Sequence, residues 1–253
     1  MKNKKNQEIL EMCEALRLKA FVENYEQAIS TAENYTDFLH GLLSAQIAMQ
    51  HERAIQNKIS AAKFPSLSYL DHLEVDCLPR DLRKRLPELK TLQFIRNGQN
   101  VIFTGNSGTG KTHTAIGLGL EACREGYNVL FASLPHLVNE LRESVTDRRL
   151  LSYERRFQRW DLVILDELGY VSFDRSSADL LFNCLSVRAE SKSTIITTNL
   201  TFERWSEVFV DAALTSALVD RLTYRALNID MVGESYRLKK TMELNKETGV
   251  ADS

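Results

Sequence analysis

Residues 105–112, GNSGTGKT, place three glycines, a lysine and three hydroxyls one residue behind the apolar run NVIF. They fit the pattern G-x-x-x-x-G-K-[ST], whose chemistry is the binding of a nucleoside triphosphate. Gly105, Gly108 and Gly110 reach backbone conformations closed to other residues. The amides of Asn106, Ser107, Thr109 and their neighbours then converge on phosphate at the start of the helix that follows, where the helix dipole also favours an anion. Lys111 is placed for the β- and γ-phosphates and the Thr112 hydroxyl for Mg²⁺. With His113, residues 105–113 form the expected nucleotide-binding segment. The bland alternative is a glycine-rich turn without chemistry, and the agreement of strand, loop, lysine, hydroxyl and helix argues against it.

A triphosphate site needs a metal-holding acid from the end of another strand. The run DLVILDE (161–167) supplies Asp166 for the Mg²⁺ shell and Glu167 to polarise an attacking water. Asn199, closing STIITTN, is the third candidate: a carboxamide at a strand tip can hydrogen-bond both a γ-phosphate and that water. Its alternative is an ordinary turn residue at a strand end.

These side chains need a sheet to carry them. Five short apolar runs alternate with helical sequence at 100–105, 127–133, 161–167, 193–199 and 226–233. Runs of this kind imply a parallel sheet covered on both faces, so the fold class is α/β. Ahead of it, apolar residues at three-to-four-residue steps predict one helix over 7–30 and another over 36–63, a helical hairpin. Pro65 and its flanking serines mark a hinge, which divides the chain into a helical domain over 1–66 and a nucleotide-binding domain over 67–253. A short helix, a break at Pro87 and a further helix up to Gly98 lead into the first strand, and the last dozen residues read as a frayed tail.

Of the 253 residues, 43% are hydrophobic and 26% charged, an ordinary balance for a chain with one sizeable core. The four cysteines lie too far apart for a zinc or redox motif, which points to unpaired, mostly buried thiols in a reducing compartment. The basic N-terminus lacks a following apolar stretch and no window reaches membrane-spanning length, so a cytoplasmic protein without membrane contact is expected. The 32 basic and 34 acidic side chains nearly cancel, so any nucleic-acid contact must come from local charge.

With the three elements in this order the chain resembles the AAA+ ATPases, and within them the clade of the DnaC helicase loader and the IstB transposition helper. The IstB-like likeness is the fuller one, carried by LQFIRNGQNVIFTGNSGTGKTHTAIGLGLEAC, DLVILDELGYV, TTNLTFERWSEVF, ALVDRL and GESYRLK, and by FLHGLLSAQIAMQHERAIQNKISAAKFP toward the N-terminus. It implies an AAA+ P-loop fold with a five-stranded parallel sheet behind a small helical domain. It also implies an ATPase using ATP and Mg²⁺, homo-oligomers on double-stranded DNA, and a transposase as partner. By the same resemblance Lys111, Thr112, Asp166, Glu167 and Asn199 keep the roles argued above. Arg221 in DRL matches the arginine finger that completes a neighbouring subunit's site, a contribution of about 10³ to 10⁵ in rate in other phosphoryl-transfer systems. A surface arginine paired with Asp220 is its alternative. Arg237 in GESYRLK is a candidate nucleotide contact, although no complete helical lid follows it.

Basic charge concentrates in two places. Arg80, Arg83, Lys84, Arg85 and Lys90 face only Asp81 and Glu88, and Arg142, Arg148, Arg149, Arg155, Arg156 and Arg159 lie among four acids between the second and third strands. Contacts from such residues to phosphates give affinity without sequence choice. The second stretch falls where the initiator and loader clade carries a DNA-facing helical element. Solvated helix faces with intrahelical ion pairs are the alternative. Arg53, Lys58 and Lys63 lie on a polar face of the N-terminal helices and are candidate contacts to DNA or another subunit. The rival functions are a helicase loader, a metabolic P-loop kinase, and an ATP-binding switch whose turnover is too slow to matter.

Overall fold

The computed structural model describes residues 2–169, 172–189, 191–209, 211–236, 238, 239, 241 and 242. The chain divides into two compact units, Met1–Asn57 and Lys58–Ser253. The first carries α1 (Lys2–Ala15), α2 (Lys19–Thr31) and most of α3 (Tyr35–Ala61).

The single helix expected over 7–30 is therefore two. Arg17 takes a left-handed φ of 59°, and the amides of Arg17 and Leu18 close back onto the carbonyls of Glu14 and Cys13. This is a helix stop usually signalled by glycine, and arginine gives no such signal. The Gln46 carbonyl oxygen on α3 accepts from the Ala20 amide at 3.1 Å, satisfying an N–H of the first turn of α2. The rings of Tyr25 and Phe38 meet edge to face at 6.0 Å.

In the second unit, α4 (Arg80–Lys90) and α5 (Gln93–Arg96) precede β1 (Val101–Thr104), followed by α6 (Lys111–Arg124), β2 (Val129–Ser133), α7 (Leu134–Thr146), α8 (Leu150–Gln158) and β3 (Leu162–Leu168). Then come α9 (Arg175–Arg188), β4 (Ser193–Thr198), α10 (Ser206–Phe209), α11 (Ala212–Thr223) and β5 (Leu227–Asp230). Pro87 lies inside α4 and does not break it. Burial of Leu82, Leu86 and Leu89 outweighs the hydrogen bond that proline removes, and the break comes instead at Leu92, with φ 55°.

The five strands form one parallel sheet in the order β2-β3-β4-β1-β5. Alternation along each strand sends successive side chains to opposite faces. Val101 and Phe103 belong to one core cluster with Ala115, Ile116 and Leu118 of α6, while Ile102 belongs to a second cluster with Leu137 of α7, Leu181 of α9 and Leu218 of α11. Both faces are covered, which is why the strands read as unbroken apolar runs. The segment expected to act as a hinge is packed on this core. The Ala62 carbonyl accepts from the Phe131 amide, the Phe64 and Phe131 rings lie 6.3 Å apart, and Leu70 is buried. Gly117 and Gly119 of α6 leave the room that Leu70 and Phe64 fill: a Cβ at either position would come within 2.5–2.9 Å of those side chains.

Candidate active site

β1 ends at Thr104 between β4 and β5, and the loop that follows turns directly into α6. Gly105, Gly108 and Gly110 all have φ between 83° and 158°. A Cβ on Gly105 would stand 2.5 Å from the Met231 backbone, and one on Gly108 would stand 2.1 Å from Ser235 Oγ. Around Gly110, the N-cap of α6, a Cβ would meet nothing within 4 Å. Two of the glycines are thus required by close packing, and the third faces open space at a helix N-terminus, where a phosphate group fits. The Thr109 hydroxyl donates to the Asn106 carbonyl at 2.9 Å and closes the loop on itself. Lys111 Nζ folds back on the carbonyls of Gly105 and Asn106 at 2.8 and 2.6 Å.

The sheet order sets β4 between β1 and the acid strand β3. Asp166 is 6% exposed, and its Oδ1 accepts from the hydroxyls of Thr112 and Thr197 at 2.8 and 2.5 Å. A hydroxyl and a carboxylate, both hard oxygen donors, are the set Mg²⁺ takes beside phosphate oxygens. β3 does not stop at the acid. It runs on to Leu168 through a register shift against β4 between Leu165 and Leu168, and Glu167 within that bulge has a left-handed φ of 66°. Bulges of this kind re-aim a side chain, and Glu167 is exposed.

A cavity of about 310 Å³ gathers Ser107 through His113 with Glu167, Thr197 and Asn199. Its far wall comes from 65–78, with His72, Leu73 and Leu78, and from Glu234 and Tyr236 after β5. Tyr236 donates to Glu74 Oε1 at 2.7 Å and to the Gly108 carbonyl through its amide at 3.0 Å. Reading the sequence missed Thr197 and this second wall. Thr197 stands two positions before Asn199 in the run TTN, but its partner depends on β3 and β4 being neighbours. His113 lines the cavity with its ring nitrogen Nε2 on the Tyr69 carbonyl at 2.9 Å, anchoring the 65–78 segment.

Arg221 is not in this cavity. It lies in the last turn of α11 with its guanidinium 5.2 Å from the Phe182 ring centroid, and both line a separate hollow with Glu154 and Val187. Arg237 lies outside the described residues.

The basic residues divide. Arg142 is bound across helices to Ser177 Oγ and Asp174 Oδ2, and Arg83 donates to the carbonyls of Asp76 and Leu78. These two hold local structure. Arg149 pairs with Asp147, Arg85 with Asp81 and Lys90 with Asp71, while Arg156 covers the Tyr153 ring at 5.2 Å. Arg80, Lys84, Arg148 and Arg155 are exposed.

The four cysteines are unpaired, with Cys13, Cys123 and Cys184 buried and Cys77 half-buried beside the cavity. Burial pushes the Cys123 thiol up to about 11 and the Cys184 thiol to about 12, which removes their thiolate chemistry near neutral pH. Among the described residues, no helix is long and apolar enough to cross a membrane.

The family model for IstB-like ATP binding proteins matches residues 11–244. The chain belongs to that family. It is 36% identical over 236 residues to the insertion sequence IS5376 putative ATP-binding protein of Geobacillus stearothermophilus, covering 92% of this chain and 94% of that one. It is 37% identical over 218 residues to the IS21 putative ATP-binding protein of Pseudomonas aeruginosa, covering 85% and 81%. Among solved structures, AMPPCP-bound DnaA from Aquifex aeolicus superposes with a TM-score of 0.56 at 20% identity, over 73% of this chain and 56% of that one. The core of this IstB-like protein therefore has a fold similar to that of DnaA, and ATP is the triphosphate its loop is built to hold.

Proposed function

We propose that this IstB-like protein is an ATP-driven transposition helper of the cytoplasm, which assembles on duplex DNA and acts with the transposase of an insertion sequence. The observation that carries this reading is the division of the catalytic set. Lys111, Thr112, Glu167 and Asn199 line one cavity, with Asp166 bonded to the Thr112 hydroxyl, while Arg221 lines a separate hollow; on this reading a second copy supplies the arginine. The insertion-sequence context of the relatives supports the choice of partner.

In the reaction, the loop amides bind the phosphates, and Lys111 exchanges two carbonyl acceptors for phosphate oxygens. Thr112 and Asp166 would hold Mg²⁺, which neutralises charge developing on the phosphates. Glu167 accepts a hydrogen bond, then a proton, from the attacking water, and Asn199 orients that water. Arg221 of a neighbouring copy closes over the far end of the triphosphate. Residues 67–253 carry this chemistry, and 1–66 choose the partner. The exposed Arg80, Lys84, Arg148 and Arg155 are the first candidates for DNA phosphates.

The test is particle size by light scattering, with and without ATP and duplex DNA, between about 50 and about 200 mM salt, a range over which phosphate contacts weaken steeply. Larger species that need ATP and disappear as salt rises support the reading. Size independent of ATP, with DNA binding indifferent to salt, overturns it. Phosphate release without any acceptor excludes a small-molecule kinase, and pull-down against a transposase and a replicative helicase distinguishes helper from loader.

A further inference from the structure

Thr197 is 2% exposed and lies on β4, the strand between the P-loop strand and the acid strand. Its hydroxyl donates to Asp166 Oδ1 at 2.5 Å and accepts from the Glu167 amide at 3.1 Å. A hydroxyl has one proton and two lone pairs, so these two bonds run in one direction: amide to hydroxyl to carboxylate. Thr112 donates to the same Oδ1, which fixes that carboxylate oxygen from two sides.

Glu167 has the greater need of such a bond. It stands in a left-handed backbone conformation inside the bulge, where the regular register between β3 and β4 is interrupted. Conformations of this kind in a non-glycine residue persist only where neighbours hold them, and they gather at functional sites. The neighbour here is a side chain on β4, the strand that leads into Asn199.

We propose that Thr197 is a positioning residue for ATP hydrolysis: one hydroxyl sets the rotamer of the metal-holding Asp166 and the backbone of the water-polarising Glu167, and ties both to the strand that leads into Asn199. The proposal rests on the ATPase reading given above. Valine has threonine's shape without the hydroxyl, so it leaves the Glu167 amide unpaired and Asp166 with one restraint fewer. Serine keeps both bonds.

The experiment compares full-length wild type, Thr197→Val and Thr197→Ser with duplex DNA present. It measures steady-state phosphate release and, separately, the Mg²⁺ concentration that half-saturates binding of a non-hydrolysable ATP analogue. Removing an outer hydrogen bond to a metal ligand costs about 10- to 100-fold. Thr197→Val is expected to lower kcat by that factor, with KM for ATP changed less than about threefold, and to need more Mg²⁺ for analogue binding. Thr197→Ser returns both readouts to within about threefold of wild type.

Equal losses in the valine and serine variants, or full kcat in the valine variant, overturn the proposal. If Thr197→Val does not fold, Thr197→Ala against Thr197→Ser in the Mg²⁺ titration decides it by the same contrast. Glu167→Gln is run alongside. Wild-type turnover in that variant sinks the ATPase reading itself, whereas its inactivity beside a fully active Thr197→Val sinks the positioning role alone.

Discussion

The guanidinium of Arg221 rests 5.2 Å from the Phe182 ring, in a hollow that shares no lining residue with the nucleotide cavity. A cation over an aromatic face at an exposed site is held by about 0.5–1 kcal/mol, enough to orient the group and weak enough to release it. Arg221→Ala is expected to lower DNA-dependent ATP turnover by about 10³ or more while leaving analogue binding to the loop intact. Phe182→Leu, which removes only the orienting ring, is expected to cost less than about tenfold. Turnover and analogue titration on the same samples check both.

The loop glycines separate packing from function. Gly105→Ala drives a methyl into the Met231 backbone at 2.5 Å, so it should lower the unfolding temperature and abolish nucleotide binding together. Gly110→Ala meets no atom within 4 Å and costs about 1–2 kcal/mol for its left-handed backbone. It should fold, with its methyl standing where phosphate is held. Thermal unfolding set beside analogue affinity distinguishes the two variants.

Much of this was legible in the chain. Val101, Ile102 and Phe103 are completely buried because both sheet faces are covered, and the same fact makes β1 readable as an apolar run. The phosphate loop is legible because its glycines answer local backbone requirements. Residues whose roles come from distant neighbours were not legible. Arg142 carries the charge of a DNA contact, yet Asp174 and Ser177 hold it from another helix. Thr197 acquires its role from the sheet order, and Arg17 ends α1 without the glycine that announces such a turn.

The corner between α7 and α8 gives a pH dependence. Burial works against the Glu140 carboxylate, but the Tyr153 hydroxyl at 2.7 Å and Lys63 at 3.1 Å outweigh it, and the acid lies below its ordinary 4.5. Burial first, then the bond to Glu140, pushes the Tyr153 phenol above its ordinary 10.0. As pH falls below 4.5 the unfolded chain takes up the Glu140 proton first, and as pH rises through 10.0 it loses the Tyr153 proton first. Stability therefore drops at both ends. Urea midpoints across pH should show this, and Tyr153→Phe should flatten the alkaline limb.

Arg188 is a structural cation. It is 1% exposed, donates to the carbonyls of Phe157, Trp160 and Ser193, and lies 5.2 Å from the Phe157 ring. Burial lowers it to about 10, still charged at neutral pH. Arg188→Ala removes those bonds and opens a cavity, a loss of about 3–5 kcal/mol. Denaturant unfolding measures it.

The shared active site is tested most directly by mixing two disabled proteins. Lys111→Ala keeps Arg221 but lacks the phosphate lysine, and Arg221→Ala keeps the loop but lacks the guanidinium. With ATP and duplex DNA, neither alone is expected to release phosphate appreciably, and the mixture should recover turnover at interfaces where an intact loop faces an intact arginine. Full turnover by Arg221→Ala alone, or a silent mixture of two folded proteins that still assemble together, would contradict a site built from two copies of the chain.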